Sequence, residues 1–278
     1  MTFKTILTVA GVDGGDDDIK LAARLCEDTG AHLAVLLVAF AAPPPVGDYA
    51  VINSDVWIQE RQKEMMRLVD RTEAVEALLA GIGISSDVAT EFPEGGWADD
   101  VIGRRARYGD LTFVGPQLLA DSRLKAKVMD GALFSSGRPV MVCPAGATPT
   151  LAPTCVLVAW DSRVEASRAA REALPILRSA EEVRLTLVDP VKGETGHGDE
   201  PGADAAAWLS RHGVKVSVDR VASAGEPVST VLSRHASDCG AQLIVMGGYG
   251  HSRLRERIFG GVTKSLIDTP PLPLFLAR

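Results

Sequence analysis

The sequence repeats itself once, and that repeat limits the possible folds more than any other feature. Lys4 to Ala10 reads KTILTVA, and 150 positions later Thr154 to Trp160 reads TCVLVAW, both β-rich and bounded by a Gly or Asp turn. After the first come a helix carrying Leu21, Ala22, Leu25 and Cys26, a stop at Gly30, and an apolar strand from Leu33 to Val38. After the second come Ala166, Ala169, Ala170, Ala173, Leu174 and Leu177 at helical spacing, then a strand from Val183 to Val188. Later in each half an apolar strand runs into glycine, Asp110 to Gly115 and Gln242 to Gly247. A polar helical stretch and a proline-led last strand follow, Pro139 to Cys143 and Pro273 to Leu276. Strands that alternate with helices and are apolar nearly throughout belong to parallel sheets covered on both faces. Each half is therefore expected to be a five-stranded α/β unit.

The offset between the repeats falls from 150 to 132, so the first half carries about 18 extra residues between Ala39 and Gly83. They include the loop AAPPPVGDYAVINSD and a long helix. On that helix Trp57, Ile58, Met65, Leu68, Val69, Val75, Leu78 and Leu79 are expected to form one apolar stripe. The matching region of the second half, VKGETGHGDEPGADA, reads as a loop before a helix around Ala205 to Arg211. The joint falls at AGATPTLAP, Ala145 to Pro153, whose small residues and prolines suit a short linker between domains at 1–145 and 153–278.

Composition narrows the function. With 29 basic against 36 acidic side chains and a net charge of −7 over 278 residues, the chain lacks the basic clusters with which duplex-binding proteins neutralise phosphates. No nucleic-acid partner is expected. The start, MTFKTILTVAGVDGG, holds an apolar run too short for a signal-peptide core or a membrane span, so the expected compartment is the cytoplasm. Cys26, Cys143, Cys155 and Cys239 form no C-x-x-C pair and read as reduced, mostly buried thiols. The acidic run Asp16-Asp17-Asp18 suits helix capping, and His32, His197, His212, His235 and His251 are scattered. Neither a P-loop, a dinucleotide-binding fingerprint, a zinc-protease motif nor a nucleophile elbow is present. No catalytic residue and no protein-built metal site is identified.

In an open parallel sheet, ligands bind outside the carboxyl ends of the strands where strand order reverses. The loops to inspect in the second half are Ala159-Trp160-Asp161-Ser162 and the segment from Met246 through Gly247 and Gly250 to His251 and Ser252. After nine intervening residues Gly250 is followed by Gly260 and Gly261, with Val262, Thr263 and Lys264 entering a helix. Glycines let backbone N–H groups approach an anion, and a helix amino terminus adds free donors and a favourable dipole. The other reading of these glycines is that they only make turns.

The doubled α/β order and, above all, the Gly247-x-x-Gly250-x(9)-Gly260 spacing resemble the universal stress protein family in its tandem two-domain form. The resemblance covers essentially the whole chain. It implies two tandem Rossmann-like domains of the adenine nucleotide alpha hydrolase-like kind, each a five-stranded parallel sheet flanked by helices. In ATP-binding members the pattern is G-x-x-G-x(9)-G-[ST], and an Asp just after the first strand contacts the adenosine; Asp161 matches it. By the same resemblance Gly247, Gly250 and Gly260 line the phosphate path and the backbone near Val188 contacts adenine. Ala159, Trp160, Ser162, Met246, His251, Ser252, Arg253, Val262 and Thr263 complete the expected set. The ligand implied is ATP, or ADP or AMP, with Mg²⁺ arriving on the phosphates rather than in a protein cage. An intramolecular pseudo-twofold domain pair and a homodimer are the implied assemblies.

The match has one fault, because Gly261 stands where ATP-binding members have Ser or Thr. The missing hydroxyl removes a hydrogen bond of roughly 0.5 to 1.5 kcal/mol. The first half departs further: Gly11 replaces the Asp, the glycine loop reads Gly115-Pro116-Gln117-Leu118, and Asp130 brings acid close to where phosphate would lie. Pro116 also removes an N–H. The first half is thus expected to bind no nucleotide and to serve as an interaction or regulatory half of a stress-response sensor. Two other readings stand beside this one: a slow ATP hydrolase or phosphotransferase, and a nucleotide-free protein whose Pro43 to Pro45 loop docks a partner or hydrophobic ligand.

Overall fold

The five central residues of β1 (Thr5–Gly11) are all buried, as a parallel strand flanked by neighbours and covered on both faces requires. This strand organises the first of two units in the computed structural model, which describes residues 3–45, 54–191, 199–248 and 261–278. The units are Phe3–Arg138 and Pro139–Arg278. In the first, β1 is followed by α1 (Asp17–Thr29), β2 (His32–Val38), α2 (Ser54–Ile82), β3 (Ser86–Glu91), α3 (Ala98–Ala106), β4 (Leu111–Val114), α4 (Pro116–Ala120) and α5 (Ser122–Asp130). A π-helical turn, Gly131–Ser136, closes the unit. Its strands lie in the order β3-β2-β1-β4, all parallel. As the sequence suggested, α1 stops at Gly30, whose φ of 66° is left-handed and whose N–H reaches the Cys26 carbonyl.

The second unit begins with β5 (Val140–Val142) and β6 (Cys155–Ala159). Then come α6 (Val164–Glu172), α7 (Leu174–Ser179), β7 (Glu182–Val188), α8 (Ala203–Arg211), β8 (Val216–Val221), α9 (Val228–Asp238), β9 (Leu243–Gly247), α10 (Gly261–Asp268) and β10 (Leu274–Ala277). The strand order is β5-β10-β9-β6-β7-β8, parallel except that β5 runs antiparallel to β10. Each half of the sequence supplies five strands, so the α/β class and the strand count expected from the repeat hold. The single helix expected after β6 is broken into α6 and α7, because Pro175 has no N–H and is accommodated in the first turn of a new helix.

The long helix corrects the stripe expected for it. Leu68, Val75 and Leu79 are buried, whereas Ile58, Met65 and Val69 are at least 42% exposed. The two sets share the same helical spacing but are offset by ten residues and so stand about 80° apart around the axis. One apolar line faces the sheet and the other faces outward. The core lies under the strands, with Phe113, Ile6 and Leu33 fully buried in the first unit and Phe275, Leu157 and Ile244 in the second. Among the described residues no helix is long and apolar enough to cross a membrane.

Candidate functional site

Between β6 and β9 the strand order of the second unit reverses: the chain leaves β6 outward to β7 and β8, then returns to β9 on the other side. Loops diverge at such a point and leave a crevice at the carboxyl ends of the strands. A cleft of about 330 Å³ opens there. Ala159, Trp160 and Asp161 enter it from β6, Val188 from β7, Met246 and Gly247 from β9, and Gly261, Val262 and Thr263 from α10. The structure thus brings these expected residues to one place. Gly250, His251, Ser252, Arg253 and Gly260 lie outside the described residues.

The turn after β6 is tightly drawn. The Trp160 amide donates to the Thr186 carbonyl at 2.9 Å, and the Trp160 indole N–H donates to Ser162 Oγ at 3.2 Å. Ser162 takes a left-handed φ of 61°, uncommon for a residue with a Cβ. The Asp161 carboxylate accepts the Arg163 amide N–H at 3.1 Å and lies 3.6 Å from the Arg163 guanidinium. Both side chains are more than half exposed, so water screens the pair and a ligand hydroxyl can reach the carboxylate.

Opposite this turn α10 begins at Gly261, and its first three residues line the cleft. The first amides of a helix have no carbonyl partner within it and carry the positive end of its dipole, so they suit an anion. A Cβ on Gly261 would meet nothing within 4 Å. Thr263 is buried and stands in the same cleft wall. Gly247 answers a different demand: a Cβ there would come 2.7 Å from the Ala166 nitrogen and the Glu165 carbonyl carbon, in the first turn of α6. Arg163, Glu165, Ala166, Thr186, Val228 and Leu232 also line the cleft and escaped the sequence reading. A signal existed for two of them, since Val228 and Leu232 are apolar at i and i+4 on one face of α9.

The first unit has a cleft of about 620 Å³ at the corresponding ends of β1, β2 and β4. Several of its charged groups are held by neighbours in the same unit. Asp18, 3% exposed, accepts N–H bonds from Gln117 at 3.0 Å and Leu118 at 2.8 Å. Burial pushes the Asp18 carboxyl above its ordinary value, against the pull of these two bonds. A Cβ on Gly115 would collide with the same carboxylate. Arg67 joins Asp13 and Glu64, Arg71 holds Asp16 at 2.7 Å and the Gly15 carbonyl at 2.9 Å, and Arg123 lies 3.9 Å over the Phe40 ring. Among the described residues no three His, Cys, Asp or Glu side chains are grouped to hold a metal ion.

Residues 155–278 match the Universal stress protein family. The chain is similar over 99% of its length to a universal stress protein from Archaeoglobus fulgidus, covering 98% of that chain at 19% identity with a TM-score of 0.64. It is also similar over 99% of its length to a putative universal stress protein from Pseudomonas aeruginosa, covering 93% of that chain at 14% identity with a TM-score of 0.54. At these identities the likeness is one of fold. No curated protein matches the chain.

Proposed function

We propose that the cleft within residues 155–278, which match the Universal stress protein family, binds an adenine nucleotide, ATP or its shorter forms, and that occupancy regulates homodimer formation or the choice of protein partner in a cytoplasmic stress response. One observation carries the reading: Asp161, Val188, Gly247 and the start of α10, far apart in sequence, line a single cleft at the strand-order reversal. The Gly261 and Val262 amides at the α10 amino terminus would receive phosphate. Asp161 would accept from ribose hydroxyls, and Val188, Val228 and Leu232 offer an apolar wall to the base. Bound nucleotide supplies the charge that Mg²⁺ requires, so the ion would enter with the phosphates.

The first half, in this proposal, holds no nucleotide. Asp18 already occupies the Gln117 and Leu118 amides, and a phosphate brought close would meet a buried carboxylate. That half is the interaction or regulatory half.

The test is titration calorimetry with ATP, ADP and AMP in the presence of Mg²⁺, on the native chain and on Asp161→Ala. Asp161 is exposed, so the variant is expected to fold. One nucleotide should bind per chain, and loss of a hydrogen bond to a charged group, about 1.5 to 3 kcal/mol, should weaken it roughly tenfold to a hundredfold. Absence of heat with every nucleotide would overturn the proposal and favour the nucleotide-free reading. Phosphate release that disappears in Asp161→Ala would add the hydrolase activity.

A further inference from the structure

Cys155 opens β6, and Cys239 follows the last turn of α9. The chain between Cys239 and β9 is laid over the start of β6, because the Gln242 amide donates to the Cys155 carbonyl at 2.9 Å. The Cys155 thiol lies 3.5 Å from the Cys239 carbonyl oxygen, to which it donates, and the Cys239 thiol donates to the Ala236 carbonyl at 3.5 Å. The Cys155 thiol is pushed up to about 11, first by burial and then by the Cys239 thiol beside it. Cys155 is buried and Cys239 half-buried. Cys239 is thus the more accessible residue of the two, and the Cys155 thiol lies against its backbone.

We propose that Cys155 and Cys239 are a reversible disulfide pair that takes a low-molecular-weight disulfide, of the oxidised glutathione class, as its oxidant. The Cys239 thiolate attacks one sulfur of that disulfide and releases the other half as a thiol, which takes up the Cys239 proton. The Cys155 thiolate then attacks the Cys239 sulfur and releases the second thiol, which takes up the Cys155 proton. Two protein thiols are oxidised and one disulfide is reduced to two thiols, so electrons and protons balance. The weak acidity of Cys155 makes its attack the slow step. An accessible thiol with a resolving thiol nearby is a recurring feature of reversible redox sensors, and Cys239 is the more accessible of this pair.

The bond would staple β6 to α9. The far end of β6 carries Trp160 and Asp161, and the far end of α9 carries Val228 and Leu232, all lining the cleft. Oxidation therefore fastens together two elements of the cleft frame, at the end opposite the site. The inference does not depend on what the cleft binds.

Intact full-length protein is equilibrated with oxidised glutathione, denatured, alkylated and weighed. Of the four cysteines, all free in the reduced chain, two should be lost to alkylation, with a mass lower by two hydrogens before alkylation and a cross-linked peptide joining Cys155 to Cys239. Dithiothreitol should restore all four, and thermal unfolding should shift upward in the oxidised form. Cys239→Ser should keep its remaining three thiols, whereas Cys26→Ser should still form the bond. Four alkylated thiols in the treated native chain, or an adduct that stops as a glutathione mixed disulfide on Cys239, would overturn the proposal.

Discussion

At Gly247 a side-chain carbon would sit 2.7 Å from backbone atoms of Ala166 and Glu165, whereas at Gly261 it would meet nothing within 4 Å. The two glycines belong to one sequence pattern and obey different constraints. Gly247 lets α6 approach β9, so its smallest substitution already forces a helix off a strand. Gly247→Ala should cost about 1 to 3 kcal/mol by overpacking, read as a lower urea midpoint. Gly261→Ser should leave stability within about 0.5 kcal/mol. It should also tighten nucleotide binding by about 0.5 to 1.5 kcal/mol, roughly twofold to tenfold by calorimetry, because it restores a hydroxyl at the helix start. Unchanged affinity in a stable Gly261→Ser chain would argue against phosphate at α10. Bulky replacements at Gly247 are poor binding probes for the same physical reason: they report on packing first.

Among the elements, the link between α1 and α4 places a side-chain carboxylate on the amides of another helix. The sequence marked Asp16 to Asp18 as helix-capping acids of α1, yet Asp18 serves α4 instead, accepting from Gln117 and Leu118 roughly a hundred residues away. Burial raises its carboxyl above the ordinary value of 3.8, so the folded chain keeps this proton at a pH where the unfolded chain has lost it. The stabilising contribution is fully present below the unfolded value and is lost as pH rises through the folded one. Asp18→Asn stays neutral and lacks that slope. It leaves one N–H facing an amide group, a cost of roughly 1 to 3 kcal/mol at every pH. In urea unfolding from about pH 4 upward, the native chain should lose stability relative to Asp18→Asn. Parallel curves would mean that Asp18 does not titrate in this range.

For the whole molecule, the last strand of the first half is built into the second unit. β5 pairs antiparallel with β10 through Val140 to Val142 and Leu274 to Leu276, and Leu274, Phe275 and Leu276 are fully buried. Without β5 one side of β10 is an open apolar edge, a template for pairing with another chain. β5 itself is three residues long and lies between Pro139 and Pro144, so it presents little edge of its own. A fragment of residues 139–278 should therefore sediment as a smaller species than a fragment of residues 151–278 at equal concentration. Identical sedimentation would show that β5 does not protect the sheet.

The fold class was legible because it rests on local regularities. Apolar runs such as Leu33 to Val38, glycine stops such as Gly30, and alternation of strand with helix are set by neighbours in the chain, and the repeat displayed them twice. The positions of Asp161, Gly247 and Gly261 in one cleft followed from the same regularities, since strand ends and helix starts fix where loops lie, whereas Val188 was indicated by the family resemblance. What the sequence left open depends on pairs brought together from afar. Val69 and Leu68 are both apolar neighbours, and only the docking of α2 on its sheet decided that Leu68 faces inward. Asp18 reached α4, Gly247 met α6, and Cys155 came beside Cys239 because close packing permits few arrangements of preformed elements. Sequence periodicity determined the elements; tertiary packing chose their partners, because residues distant along the chain interact only once those elements have docked.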